Sequence, residues 1–237
     1  MNDYEIKIKD NITLNTISKV IVDETSKLGF KRADYISLVN DLLDVSINKP
    51  LVAEPKEKSE LISGIAKFKF PIRGKQIHLR LFDMKTDLNI VQEWLNDSAG
   101  QWFLLDRSSY RDKTLLQIIE DERNIFGIIT LPDKTPIGLM AFLDYDQINY
   151  KAEMRKLIGE KIHREKGYAK EATTLWIQYG IRNLGLKKIY INTIENNIRN
   201  ITLNKELGFH IEGLLRKEFL INNKYYDILR MAFIIED

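Results

Sequence analysis

A strong helical pattern from Gly167 to Leu184 stands between two strand patterns, 152–158 and 188–194, and this triplet most constrains the fold. Ala172, Leu175, Trp176 and Tyr179 recur at helical spacing on one face, and Gly185 supplies a stop. The flanking sequence alternates between the two periodicities. Gln76 to Phe82 reads as a strand, Leu88, Val91, Trp94 and Leu95 form a helical stripe, and 109–122 reads as a second helix. Phe126 to Thr130 and Ile137 to Leu143 read as strands around the turn Pro132-Asp133-Lys134. Asn197 to Leu207 reads as a short helix stopped by Gly208, and a hairpin follows, Ile211 to Leu220 and Tyr225 to Ile234. The expected class is α/β (α+β), a mixed sheet flanked by helices.

Before this region the pattern differs. Residues 1–48 carry two helical stripes: Ile17, Val20, Ile21, Glu24 and Leu28 up to Gly29, then Tyr35, Val39, Leu42 and Leu43. Two short amphipathic helices cannot bury both apolar faces alone, so they are expected to pack on the main domain, a partner or a second copy, which makes a homodimer one expectation. Residues 49–75, with Pro50, Pro55 and Pro71 and the run Glu54-Pro55-Lys56-Glu57-Lys58, read as a linker. The main domain is expected over 76–237.

Composition removes several functions. With 36 Lys+Arg against 34 Asp+Glu the net charge is +2, which gives no electrostatic footprint for nucleic acid and no polybasic membrane anchor. Cysteine is absent, so disulfides, thiolate metal sites and cysteine nucleophiles are excluded, and three isolated histidines leave little for a metal. Met1 to Asp10 lack an apolar signal core and no stretch approaches the ~18 apolar residues of a bilayer span, so the cytoplasm is the expected compartment.

Two segments carry chemistry. Arg164-Glu165-Lys166-Gly167-Tyr168-Ala169 lies between a strand and the long helix, where backbone N–H groups at the positive helix end can seat a phosphate. Arg164, Lys166 and Lys170 add charge there, although an ordinary strand-to-helix turn with a basic rim fits the same spacing. On the later helix Asn197, Asn200 and Asn204 share a stripe between Ile201 on one side and Leu203 with Leu207 on the other. Buried amides need partners; a polar ligand or neighbouring loops could supply them.

On these motifs, residues 76–237 resemble the GNAT superfamily of acyl-CoA-dependent N-acyltransferases, especially its branch of ribosomal-protein N-terminal acetyltransferases and related amine acetyltransferases. Residues 164–169 fit the family's Arg/Gln-x-x-Gly-x-Gly/Ala pyrophosphate loop. Glu195-Asn196-Asn197-Ile198-Arg199-Asn200-Ile201 with Lys205-Glu206-Leu207-Gly208-Phe209 looks like its Asn-x-x-(Ala)-Ile…Leu-Gly-Phe segment. The run Glu212-Gly213-Leu214-Leu215-Arg216…Lys224-Tyr225-Tyr226-Asp227 is similar to that branch's final hairpin. The resemblance implies a sheet splayed between strands 152–158 and 188–194. Acetyl-CoA is the implied co-substrate, its pantetheine arm in that gap against the backbone of Leu157, Ile158 and Gly159. The pyrophosphate would sit on Arg164, Glu165, Lys166, Gly167, Tyr168, Ala169 and Lys170, and Asn197 and Asn200 would reach the arm.

The implied reaction is attack of a neutral amine on a thioester, which requires positioning, oxyanion donors and removal of one proton. Alternation puts Glu153, Arg155 and Leu157 on one strand face and Met154, Lys156 and Ile158 on the other. Glu153 is the expected general base, acting through a water, and Arg155 is expected to bind a phosphate or carboxylate of the acceptor. A surface ion pair between them reads equally well. The family often has a tyrosine where this chain has Asn204, so the acid that protonates the leaving thiolate is in doubt; Asn204 is a candidate to hydrogen-bond the sulfur or a water. Trp102, Phe103, Tyr145, Tyr150 and Tyr190 are expected wall or core aromatics, with Trp102 and Tyr190 candidates for substrate contact. An amine of pKa near 10.4 is only about 0.04% neutral at pH 7, one near 8 about 10%, which favours an α-amino group or an amino sugar. The expected function is acetyl transfer to a small-molecule primary amine such as a nucleotide-linked amino sugar. Protein N-terminal acetylation and a CoA-binding module without turnover are the alternatives.

Overall fold

The computed structural model describes residues 66–96, 103, 113–194, 198–221 and 223–235, with shorter pieces at 21–23, 25–31, 34–35 and 38–39. The chain divides into two compact units, Met1–Val52 and Ala53–Asp237. In the first, residues 21–23 and 25–27 are helical, and Gly29 ends the turn at φ 86°, the left-handed region that glycine adopts without strain. Thr25 Oγ1 donates to Tyr35 Oη at 3.0 Å and Tyr35 Oη to the Val22 carbonyl at 3.2 Å. Residues 34–35 and 38–39, in the second expected helix, are helical too, and the rest of both expected N-terminal helices lies outside the described residues.

In the second unit, β1 (Ile72–Arg73), β2 (His78–Leu81), α1 (Met84–Asn96), α2 (Leu115–Ile119), β3 (Ile125–Thr130), β4 (Pro136–Asp146), β5 (Lys151–Ile158), α3 (Tyr168–Leu184), β6 (Lys188–Ile194), α4 (Ile198–Glu206), β7 (His210–Ile221) and β8 (Lys224–Ile234) follow in order. The strands form one eight-stranded sheet, β1-β2-β3-β4-β5-β6-β8-β7. Neighbours are antiparallel except β5 and β6, which run parallel and are joined through α3, as a parallel pair requires a long crossover.

Both sheet faces are covered, so β4 reads as a continuous apolar run rather than an alternation. Leu139, Ala141 and Leu143 of β4 join Leu157, Val91, Trp94, Phe103 and Ile118 in a core on the α1 and α2 side. Met140 and Phe142 join Met154, Ala172, Trp176, Ile189 and Phe233 on the α3 side. Trp176 stacks on Phe142 with ring centroids 5.2 Å apart.

Two differences from the sequence reading have clear causes. Of the expected helix over 109–122, residues 109–112 lie outside the described residues, and the helix observed runs Leu115–Ile119, started by a reciprocal capping box between Thr114 and Gln117. The expected linker over 49–75 ends in packed structure: Ile72 is buried, Phe70 packs on Tyr179, and the Phe68 backbone exchanges two 2.9 Å hydrogen bonds with the Asn183 amide. Residues 49–65 of that expected linker lie outside the described residues.

The buried Asp87 of α1 has no counterpart in the apolar stripe. Burial alone would raise its pKa, but bidentate hydrogen bonds from Arg80 (2.6 and 2.7 Å), the Asp83 N–H at 2.8 Å and the Arg80 charge outweigh this and hold the carboxyl below its usual value. A depressed folded pKa stabilises the fold above the unfolded value near 3.9, and that gain is lost as pH falls through the lower folded value. Asp87→Asn is therefore expected to destabilise the protein at pH 7 by about 3 kcal/mol. Denaturant unfolding near pH 3 should show a smaller difference from the parent.

Candidate active site

The sheet opens where chemistry was expected. β5 and β6 pair only through Lys151–Lys188, Ala152–Ile189 and Glu153–Tyr190. Met154 to Ile158 then continue along β4 but not along β6, leaving roughly 16 Å of strand edge at ~3.3 Å per residue. A cavity of about 980 Å³ fills this region, lined from one sheet face by Arg155, Leu157 and Phe103 and from the other by Lys156, Asn200, Leu203 and Asn204. It thus reaches through the sheet.

The register refines which backbone groups face the gap. The Gly159 N–H donates to the Ile137 carbonyl at 3.0 Å. Antiparallel pairing alternates, so the backbone of Leu157 and Gly159 is turned toward β4 and that of Lys156 and Ile158 toward the opening. Of the three residues expected to bind pantetheine through their backbone, Ile158 has this orientation. Gly159 is instead a packing position, since a Cβ there would clash with the Trp94 ring.

The loop at the mouth has the geometry of an anion seat. Glu165 and Gly167 take φ 66° and 84°, and Gly167 is the N-cap of α3 with no side-chain cap. The Lys170 and Glu171 N–H groups return to the Gly167 carbonyl, whereas the N–H groups of Gly167, Tyr168 and Ala169 lie ahead of the first intrahelical bond. Arg164 turns inward, its Nε donating to the Ile158 carbonyl and its Nη2 to the Gly159 carbonyl, both at 3.0 Å. It clips the loop to β5. Lys166 is exposed, Lys170 pairs with Glu206 at 3.2 Å, and His163 joins the cavity wall.

Glu153, the expected base, is fully buried and lies outside the cavity wall, whereas Arg155 lines it. Arg155 Nη2 lies 2.6 Å from Glu153 Oε1. Asn192 Nδ2 donates to the same oxygen at 3.2 Å, Arg230 Nε donates to Asn192 Oδ1 at 3.0 Å, and the Arg230 guanidinium sits 5.1 Å from the Tyr190 ring centroid. The ion pair is therefore buried, not a surface pair. Tyr190 faces Arg230 rather than the cavity. Phe103 lines the cavity, Tyr145 donates to the Leu184 carbonyl at 2.6 Å, and Tyr150 is exposed. Trp102 and Asn197 lie outside the described residues.

On the opposite face, Lys156 Nζ donates to Asn204 Oδ1 at 2.7 Å. Burial pushes the Lys156 ammonium down to about 7. Asn204 is completely buried and its Nδ2 has no partner among the described residues. Asn200 Nδ2 donates to Thr193 Oγ1 at 3.2 Å, and Asn200 and Asn204 both line the cavity. Lys156 was missed as a site residue. Its signal was a lysine between Met154 and Ile158 on an otherwise apolar strand face.

A sheet parted at one parallel pair, with a capless helix N-terminus at its mouth, is the architecture of a coenzyme A-dependent acyltransferase. Residues 79–229 match the family model described as acetyltransferase (GNAT) domain, and the chain belongs to that family. A spermidine N(1)-acetyltransferase of Vibrio cholerae is 35% identical over 165 residues, 68% of this chain and 94% of that protein. A probable N-acetyltransferase of Bacillus subtilis is 31% identical over 181 residues, 70% of this chain and 98% of its own length. A crystal structure of the V. cholerae spermidine N-acetyltransferase in complex with CoA and spermine superposes with a TM-score of 0.59 at 26% identity, covering 68% of this chain and 96% of that one. The expected superfamily is thereby established; the V. cholerae relative is a spermidine enzyme and the B. subtilis one a probable N-acetyltransferase, so the ribosomal-protein branch is not specifically indicated. The protein is an acetyl-CoA-dependent N-acetyltransferase of GNAT type. Among the described residues no helix is long and apolar enough to cross a membrane, and no cluster of ligating side chains could hold a metal ion.

Gly167→Val would impose a β-branched side chain on a left-handed residue, costing about 1–2 kcal/mol. The distorted turn is expected to raise the Kd for CoA about tenfold, equivalent to 1.4 kcal/mol, as read by calorimetry.

Proposed function

We propose that the protein acetylates the primary amine of a small molecule that also carries an anionic group, a nucleotide-linked amino sugar being the example that best fits. The observation that carries this reading is a guanidinium at the cavity wall: Arg155, which pairs with Glu153, while Asn192 links that carboxylate to Arg230. Arg155 lines the cavity from the face that also carries Leu157 and Phe103. A planar guanidinium suits phosphate or carboxylate and repels a polycation.

Glu153 lies outside the cavity wall, and its Oε1 is engaged by Arg155 and Asn192. We assign Glu153 to holding Arg155 in place instead of general base catalysis, and the acceptor's proton to bulk water. Acetylation of a polyamine is the second reading, favoured by the 35% identity to a spermidine enzyme. Protein N-terminal acetylation and CoA binding without turnover complete the alternatives carried from the sequence.

Thiol release from acetyl-CoA, measured across nucleotide-linked amino sugars, amino acids, spermidine and peptides beginning with Ser, Ala or Thr, separates these readings. The highest kcat/KM is expected with an anionic amino sugar; spermidine as the best acceptor would refute the proposed class. Arg155→Met is expected to raise the acceptor KM at least tenfold and leave the acetyl-CoA KM unchanged. It should also destabilise the fold by about 3 kcal/mol by leaving Glu153 buried without its ion-pair partner. Glu153→Gln is expected to leave the acidic limb of the pH–rate profile in place; loss of that limb would restore Glu153 as the base.

A further inference from the structure

The family resemblance implies a tyrosine where this chain has Asn204, so the proton for the departing thiolate must come from another group. The gap supplies one. Lys156 lies three residues beyond the last β5–β6 pair, at Glu153, and three short of Gly159 at the loop end. A thioester arm running from the loop into the opening must pass this position. Because Lys156 Nζ has no acceptor capacity, its 2.7 Å bond fixes the Asn204 amide with Oδ1 toward the lysine. The Asn204 Nδ2 then points elsewhere, buried and with no partner among the described residues, while Asn204 and Lys156 both line the cavity. An ammonium and an amide N–H facing one apolar passage make a binding site for a sulfur anion, between Met154, Ile191 and Leu203.

We propose that Lys156 is the catalytic acid that protonates the CoA thiolate, and that Asn204 is its positioning residue. The proposal rests on the N-acetyltransferase assignment and is independent of which amine is the acceptor. The neutral acceptor nitrogen attacks the thioester carbon, and the C–N bond forms as the C–S bond breaks with its electron pair on sulfur. A proton moves from Lys156 Nζ to that sulfur. The proton shed by the new amide nitrogen passes to water, from which Lys156 is recharged. A lysine whose burial brings it to about 7 is matched to donating near neutral pH. The other titratable groups facing this cavity are Arg155 on the opposite face of β5 and His163, Arg164, Glu165, Tyr168 and Lys170 at the loop; β6 contributes Asn192 and Thr193, which do not titrate.

Two measurements on Lys156→Gln and Lys156→Arg test this, with calorimetry of CoA binding to verify that each variant is folded. First, the thiol of bound CoA is titrated by thiolate absorbance, with no acceptor present. A thiol pKa lower by about one unit or more in the parent than in Lys156→Gln is expected, because a nearby cation favours the anion; equal values would overturn the proposal. Secondly, with the best acceptor, both variants should lose about 100-fold or more in kcat, with less than threefold change in the acetyl-CoA KM. That loss should largely vanish when an activated aryl thioester, whose thiolate needs no proton, replaces acetyl-CoA. Equal losses on both thioesters, full activity of Lys156→Arg, or an acetyl group found on Lys156 after incubation with acetyl-CoA alone would each overturn it. A parent that binds CoA but acetylates no amine would count against the enzyme assignment, while the thiol titration would still decide the role of Lys156.

Discussion

The site depends on one constraint: β5 and β6 pair for three residues and then separate. A parallel pair in the middle of a sheet normally satisfies its backbone along its whole length, and unpaired buried backbone groups are unfavourable. Here β5 is held by β4 on one edge while its other edge is left open from Met154 onward. The open edge is what a ligand's amide groups can complete, in the manner of an added strand. Arg164 closes the far end by capping two of the carbonyls there. The loop, the strand end and the start of α3 are thus one mechanical unit.

The second consequence is a separation of charge by sheet face. Alternation along β5 sends Glu153 and Arg155 to the α1 side and Lys156 to the α4 side, so adjacent residues face different halves of the passage. Each half solves its desolvation problem differently. Arg155 is buried against a carboxylate that is itself bound by Asn192. Lys156 donates to the neutral Asn204, and burial makes its ammonium easier to discharge. One half is thereby suited to holding a charged acceptor, the other to moving a proton.

Much of this was legible beforehand where a local rule sufficed. The strands at 151–158 and 188–194, α3 with its Gly185 stop, and the terminal hairpin followed from periodicity and turn residues and agree with the structure to within a residue or two. The loop at 164–169 was visible because glycine and neighbouring basic residues mark a helix start by themselves. The Arg80–Asp87 pair and the packing of Phe68, Phe70 and Ile72 were not, because their partners lie in elements remote in the sequence. Glu153 was read from its strand face, and a strand face does not reveal that Asn192 of the neighbouring strand donates to it, itself held by Arg230.

The amino-acid sequence by itself determined the order of elements, the apolar faces that make the sheet two-sided, and the backbone turn that can seat a diphosphate. Each of these depends on residues close together in the chain, where spacing and side-chain type dictate conformation. Only the tertiary structure decided that Lys156 meets Asn204 across 48 positions, and that Arg155 rather than Glu153 faces the cavity. Burial and charge pairing arise from the whole packed sheet, and no local pattern encodes how water is excluded from a particular nitrogen.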